Sequence, residues 1–390
     1  MKKHLLIVVL FIILIVGCST KKENNIDKMI KDMTLEEKIG QMMIIFYRED
    51  HMDSTLKNSL KTVKPGGFIL FGENFSNYDN TLKLIKEIKS TSSIPMFMSI
   101  DEEGGRVQRL LSLKETEVSD VPSMYDVGKM NDLDLTEEVG KLVGEELRVF
   151  GVNMDFAPVL DIYENKDNKV IGKRSFGEDK EIVSKHALAF SKGLSSTGVI
   201  PVYKHFPGHG NTSVDSHVDL PIVTKTKKEL LEDDLVPFKN AIKDGAKVIM
   251  IGHLAVPEIT GDNTPASLSR TIITDLLKDE LGFDGLVITD ALNMGALTKN
   301  YTQDEIYVKA INAGVDILLM PPGSVNALNS IKKSVEEGLI SEETINKSVK
   351  KILTLKYDMI EKDYNSYFDK SYLNSDKHKE IINQIIKNDV

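Results

Sequence analysis

Leu286-Val287-Ile288-Thr289-Asp290 is a short, largely β-branched run that ends on a carboxylate. A run of this kind suits a strand covered on both faces, because it offers apolar side chains to each side without alternation. Seven further runs of the same character lie at 42–46, 68–71, 96–100, 152–156, 202–204, 248–251 and 315–319. Helix-like stretches at 136–150, 180–195, 227–243 and 303–313 fall between them, with Gly or Pro at many joins. Eight strands alternating with helices predict an α/β chain with a parallel sheet, a single TIM-type (β/α)8 barrel; a doubly wound open sheet gives a similar alternation. The 390 residues, 41% hydrophobic and 28% charged, are enough for eight βα units in one large domain. Residues 361–390 read as a short C-terminal helical tail.

The unusual polar residues fall at one end of these runs. Asp101 follows the third, Lys204 and His205 close the fifth, His253 follows the sixth and Asp290 the seventh. Barrel enzymes assemble their sites on that C-terminal face, where loops vary without disturbing the core. Any one of these residues could serve as a helix cap; the whole set at one end is poorly explained that way.

Charge and cysteine usage narrow the partners. The net charge of −10, without a Lys/Arg block, offers no footprint for nucleic acid or for an anionic lipid surface. The single cysteine, Cys18, rules out an intramolecular disulfide framework and a thiolate metal cluster. Lys2, Lys3 and His4 precede the apolar stretch from Leu5 to Val16, which is short for a bilayer span and suited to a signal-peptide core. The following Gly17-Cys18 resembles a bacterial lipoprotein processing site. The expectation is a signal peptide over 1–17, a lipidated Cys18 opening a spacer over 18–26, and placement on the extracytoplasmic face of the cell membrane. Acyl chains would then hold the protein, since removal of 1–17 takes away two lysines and no acid.

The segment Lys204-His205-Phe206-Pro207-Gly208-His209-Gly210-Asn211-Thr212-Ser213-Val214-Asp215-Ser216-His217 holds three of the eight histidines among turn-forming residues. Metal binding by His205, His209, Asp215 and His217 matches no helical His-x-x-x-His spacing, so no metal or cofactor is expected. Asp215 two residues before His217 suits a dyad, the carboxylate fixing the imidazole tautomer for proton transfer.

Together with Leu220-Pro221 this segment closely resembles the signature of glycoside hydrolase family 3 in its β-N-acetylhexosaminidase branch. Three more segments match in order: Asp101-Glu102-Glu103-Gly104-Gly105-Arg106-Val107-Gln108-Arg109, Lys173-Arg174-Ser175-Phe176-Gly177, and Ile288-Thr289-Asp290-Ala291-Leu292-Asn293-Met294. The resemblance runs from about Asp27 to Tyr357, which places the family domain over 27–360. It implies a retaining hydrolase in which Asp290 attacks the anomeric carbon, Asp215 and His217 supply the acid/base, and Asp101, Arg109, Arg174, Lys204 and His205 hold the non-reducing sugar. Many relatives carry a second domain that contributes a catalytic Glu; no room for one follows the barrel segments here, which favours the hexosaminidase branch. Asn211 and Ala291 depart from Asp residues frequent in the family, and neither has an assigned catalytic role.

The implied substrate is terminal β-linked N-acetylglucosamine on peptidoglycan-derived fragments, with cell-wall glycan as the partner and neither nucleic acid nor a protein partner expected. A β-glucosidase-like exoglycosidase and an N-acetylglucosaminide phosphorylase are the alternative activities, and a lipoprotein that binds muropeptides without turnover the non-enzymatic one. Lys204 and His205, adjacent on a strand, would ordinarily point to opposite faces. Their joint assignment predicts an irregular strand end there, such as a non-proline cis peptide. Asp155, Pro158 and Asp161 read as scaffold, and His253 equally as site lining or as a satisfied buried group.

Overall fold

The structure, a computed structural model, describes residues 25–212, 215–216 and 219–387. Among them run β1 (Met43–Phe46), β2 (Gly67–Leu70), β3 (Phe97–Ile100), β4 (Glu102–Gly104), β5 (Val107–Gln108), β6 (Met154–Asp155), β7 (Ile200–Pro201), β8 (Tyr203–Phe206), β9 (Val248–Ile251), β10 (Leu286–Thr289) and β11 (Leu318–Leu319). Parallel pairing gives one sheet in the order β11-β1-β2-β3-β6-β7 and a second in the order β10-β9-β8, while β4 and β5 form a small hairpin. Each long strand lies beside its chain predecessor, without the order reversal of a doubly wound sheet. The sheets adjoin at two seams. Val202, between β7 and β8, donates to Asp155 O and Ala157 O at 2.9 and 3.0 Å. A parallel bridge joins Ile288 to Ile317 at the other seam.

Two strands, β6 and β11, come out at two residues each against runs of five, for a physical reason. Asn153 inserts its side chain beside β3, accepting from Met98 N at 2.9 Å and donating to Met96 O at 3.0 Å. Asp316 likewise accepts from Val287 N at 3.0 Å and from Ser348 at 2.8 Å. Side-chain amide and carboxylate thus replace ladder bonds that the runs at 152–156 and 315–319 were expected to make.

The helices pack outside the strands. Leu133–Val149 and Lys180–Ser196, capped by Asp132 and Asp179, cross so closely that a Cβ on Gly140 would lie 2.1 Å from Phe190 O. The stretch expected as one helix over 227–243 is two, Lys227–Glu232 and Val236–Lys243. Asp233 leaves helical geometry between them, and Pro237 in the first turn of the second helix supplies no intrahelical N–H.

The tail also differs from a continuous helix. Short 3-10 turns at Glu361–Asp363 and Lys370–Tyr372 precede a single α-helix, Asp376–Ile386. It is docked by His378, buried between Glu145 at 3.0 Å and Glu146 at 3.2 Å. At the other end Ile26 and Ile30 are buried in the core, so the packed body reaches into the expected spacer. Cys18 and the apolar stretch before it lie outside the described residues. No helix among the described residues is long and apolar enough to cross a membrane.

Candidate active site

The C-terminal ends of the strands converge on a cavity of about 260 Å³. Asp101 enters it from the end of β3, Glu103 and Arg109 from the β4–β5 hairpin and the residue after it, Lys204 and His205 from β8, and Asp290 from the end of β10. The hairpin is fixed from beneath. Glu102, turned away from the cavity lining, accepts Arg109 N at 2.7 Å and Leu110 N at 3.1 Å, and Asp155 accepts Glu102 N at 2.9 Å. Burial pushes the Glu102 carboxyl up to about 8, against the two backbone N–H groups that favour its anion. Burial also raises Asp155, so a pair of acids with suppressed charge underlies the site.

Five side chains form the polar wall. Lys204 Nζ donates to Asp101 at 2.7 Å and lies 2.5 Å from Glu103. Glu103 receives Arg174 through both Nε and Nη2 at 2.7 Å, a bidentate fork. Arg109 stands 3.5 Å from Asp101. Lys204 and Glu103 are each only 1% exposed, which makes their mutual satisfaction obligatory. Burial acts to raise Glu103, yet the Arg174 and Lys204 charges outweigh it and hold the carboxyl below its ordinary range. The result is a rigid frame of alternating cations and carboxylates, able to donate to and accept from sugar hydroxyls.

His205 is oriented by a residue 44 positions earlier. Its Nδ1 lies 2.6 Å from buried Asp161, whose other oxygen accepts His209 N at 2.6 Å. An Nδ1–H donating to that carboxylate leaves Nε2 as the ring nitrogen offered to the cavity. The irregular strand end expected here is present: the Lys204–His205 peptide is cis, register shifts between Tyr203 and Phe206, and both side chains line one cavity. His209 is engaged at both nitrogens, by Thr212 Oγ1 at 2.7 Å and Ser216 Oγ at 3.3 Å. Burial lowers its pKa, which favours the neutral ring.

Asp290 is half-buried and accepts the Ala291 N–H at 2.7 Å. Burial works to raise its carboxyl, but His253, His205, that N–H and Lys204 together hold it below the usual range. These influences favour the anion at the cavity edge, where Ala291, Asn293 and Met294 line the wall beside it. His253 does not line the cavity; its nitrogens meet Ser267 Oγ at 2.8 Å and Ala291 O at 3.0 Å, a buried and satisfied group.

The structure thus brings together Asp101, Arg109, Arg174, Lys204, His205 and Asp290. Asp215 is described but is not among the lining residues, and His217 lies outside the described residues. Glu103 and Asp161 were not singled out for the site in sequence. Glu103 sits inside a quoted motif, where its cation partners were the available signal. Asp161 was read as scaffold from its place at a strand end, since the partner that gives it a role at the site is distant in the chain. Arg48 and Phe71, at the ends of the first two runs, also line the cavity, with the guanidinium 4.1 Å from the ring centroid.

A parallel α/β fold with this constellation at the strand ends is that of a glycoside hydrolase, and the glycosyl hydrolase family 3 N terminal domain matches residues 34–355. The chain belongs to that family, whose domain is a TIM-like (β/α)8 barrel. Among relatives, it is 34% identical over 317 residues to Beta-hexosaminidase A of Pseudoalteromonas piscicida, matching 75% of this chain and 53% of that protein, about half its length. It is 33% identical over 330 residues to Beta-hexosaminidase LpqI of Mycobacterium tuberculosis, covering 82% of each. The solved family 3 β-N-acetylglucosaminidase of Paenibacillus sp. superposes with a TM-score of 0.83 at 34% identity, over 90% of this chain and 68% of that one.

Proposed function

We propose that this chain is a retaining β-N-acetylhexosaminidase that releases terminal β-linked N-acetylglucosamine from peptidoglycan-derived fragments. The observation that carries the reading is the Asp290 carboxylate, held as an anion across one cavity from the Asp101–Lys204–Glu103–Arg174 frame. A cavity of about 260 Å³ suits one sugar ring better than an oligosaccharide. The frame would grip the hydroxyls and His205 Nε2 would accept from a further sugar hydroxyl, presenting the anomeric carbon to Asp290. Asp290 forms the glycosyl ester as the bond to the leaving oxygen breaks, and the Asp215–His217 pair delivers the proton that oxygen needs. His217 then takes a proton from water as the ester is cleaved, which restores Asp290 and retains configuration. The names of the relatives support the N-acetylated substrate.

We infer further that the six- and three-stranded sheets close into one (β/α)8 barrel, since the parallel order continues across both seams. Lipidation at Cys18 and residence on the outer membrane face complete the proposal; the Gly17-Cys18 sequence supports them. The test is nitrophenol release from the β-N-acetylglucosaminide by a form lacking residues 1–18. Turnover that collapses in Asp290→Ala and falls strongly in His217→Ala supports the assignment. A folded protein inactive on that substrate and on muropeptides contradicts it.

A further inference from the structure

Asp215 and His217 belong to a segment that leaves the sheet after β8 and rejoins the packed body before the helix Lys227–Glu232. Its entry is tightly seated. Gly208, at φ +119°, runs so close to Asp234 that a Cβ there would stand 2.9 Å from the Asp234 Cβ, and Gly210 abuts the backbone of Ile162. A side chain at either position would push the two partners apart.

Charge brings the exit of the segment back to that entry. Lys225 Nζ lies 2.6 Å from Asp234 and 2.8 Å from both oxygens of Glu164. Asp234 is the residue beneath Gly208, and Glu164 stands two positions after Ile162, against which Gly210 rests. One ammonium therefore joins the end of the segment to both elements that hold its beginning. Asp234 is 3% exposed and the Lys225 side chain 14%, so this is a largely buried network and its partners depend on one another. The break between the helices Lys227–Glu232 and Val236–Lys243 has a consequence here, because the chain leaves helical geometry at Asp233 and the next carboxylate meets Lys225.

The exit is also bonded to the stretch after β9: Val223 N donates to Ala255 O, and Ala255 N to Pro221 O, each at 2.8 Å. Those bonds tie it to a neighbouring strand end, whereas the Lys225 network ties it to its own entry. Fixing both ends of a loop restricts the conformations open to everything between them. Burial pushes the Asp234 carboxyl up to about 6 even against the Lys225 charge. Loss of Lys225 thus favours the neutral acid and leaves no ion pair to close the segment.

We propose that Lys225, clamped between Asp234 and Glu164, is a positioning residue for acid/base catalysis: it closes the base of the segment and so sets where Asp215 and His217 stand relative to Asp290. The inference rests on the glycosidase reading above and adds to it three residues that do not line the reaction cavity.

The test uses two leaving groups. A 2,4-dinitrophenolate departs from the β-N-acetylglucosaminide without a proton, whereas a phenoxide requires one from the acid. In Lys225→Met, kcat/KM for the phenyl glycoside should fall about tenfold to a hundredfold, part of the roughly 10²–10⁴ that a general acid supplies, and kcat/KM for the dinitrophenyl glycoside should stay within about threefold. On the dinitrophenyl glycoside kcat itself should fall, since cleavage of the glycosyl ester still needs the base. Lys225→Arg keeps the cation and should retain the wild-type ratio of the two substrates. Glu164→Gln, at a partly exposed position, removes one arm of the clamp and should show the same selective loss to a smaller degree; it decides the question if circular dichroism shows that the methionine variant does not fold. Equal losses on both glycosides, or no loss on either, in a folded variant overturn the inference and leave the glycosidase reading standing. No turnover of either glycoside by the wild type removes both readings together.

Discussion

Replacing Glu103 by Gln should damage the site through its cations. The carboxylate takes two bonds from Arg174 at 2.7 Å and sits 2.5 Å from the Lys204 ammonium, with Glu103 and Lys204 withdrawn from water and Arg174 partly so. An amide of the same shape keeps one acceptor oxygen and turns N–H bonds toward a guanidinium and an ammonium. Two charge-assisted contacts are then lost, at about 1.5 kcal/mol each. The sum of about 3 kcal/mol agrees with the lower end for unpairing a buried ion. Urea unfolding followed by far-ultraviolet circular dichroism should show that loss, a large part of the stability of a typical domain. As the released cations are those assigned to the sugar, kcat/KM on the nitrophenyl substrate should fall roughly a hundredfold. A Glu103→Gln protein with wild-type stability and kcat/KM within twofold would refute the idea that Glu103 holds the frame.

Other substitutions probe separate links. Asp161→Asn removes the charge that orients His205 from 2.6 Å, and kcat/KM should drop about ten- to a hundredfold; an unchanged value would show that His205 needs no orienting partner. Glu102, raised to about 8, favours its neutral form in the fold. Its contribution to stability is full below the unfolded carboxyl range and is lost as pH rises toward 8. Glu102→Gln should flatten the fall in melting temperature between pH 5 and 8, and an equally steep fall in the variant would contradict this. Gly140→Ala places a methyl group 2.1 Å from Phe190 O and should cost about 1–3 kcal/mol as two helices are forced apart; a melting temperature equal to wild type would show that the helices yield freely.

Legibility in the sequence followed the locality of the signal. The runs at 248–251 and 286–289 are strands with those same bounds, because contiguous β-branched residues decide them without help from elsewhere. The runs at 152–156 and 315–319 shrank where Asn153 and Asp316 put side chains into the ladder, a choice made by a neighbouring strand. The break in the 227–243 stretch was missed in sequence: Pro237, in the first turn of the second helix, was the signal passed over, and the departure at Asp233 has no comparable mark. Six site residues read from motifs and strand ends do share one cavity. Glu103 and Asp161 escaped because each is defined by its partners, Arg174 at 71 residues' separation and His205 at 44. Equally, His253 looked like Asp290 or Lys204 from its strand-end position, and only its bonds to Ser267 and Ala291 separate it from them.

The retaining mechanism requires that Asp290 become covalently glycosylated. It is tested most directly by mixing the protein with 5-fluoro-N-acetylglucosaminyl fluoride, whose ring fluorine slows breakdown of such an ester, quenching in acid and measuring the mass. One glycosyl group should be added, mapped by peptide digestion to Asp290 and absent from Asp290→Ala. An adduct on another residue, or turnover of this reagent by Asp290→Ala at the wild-type rate, would contradict it.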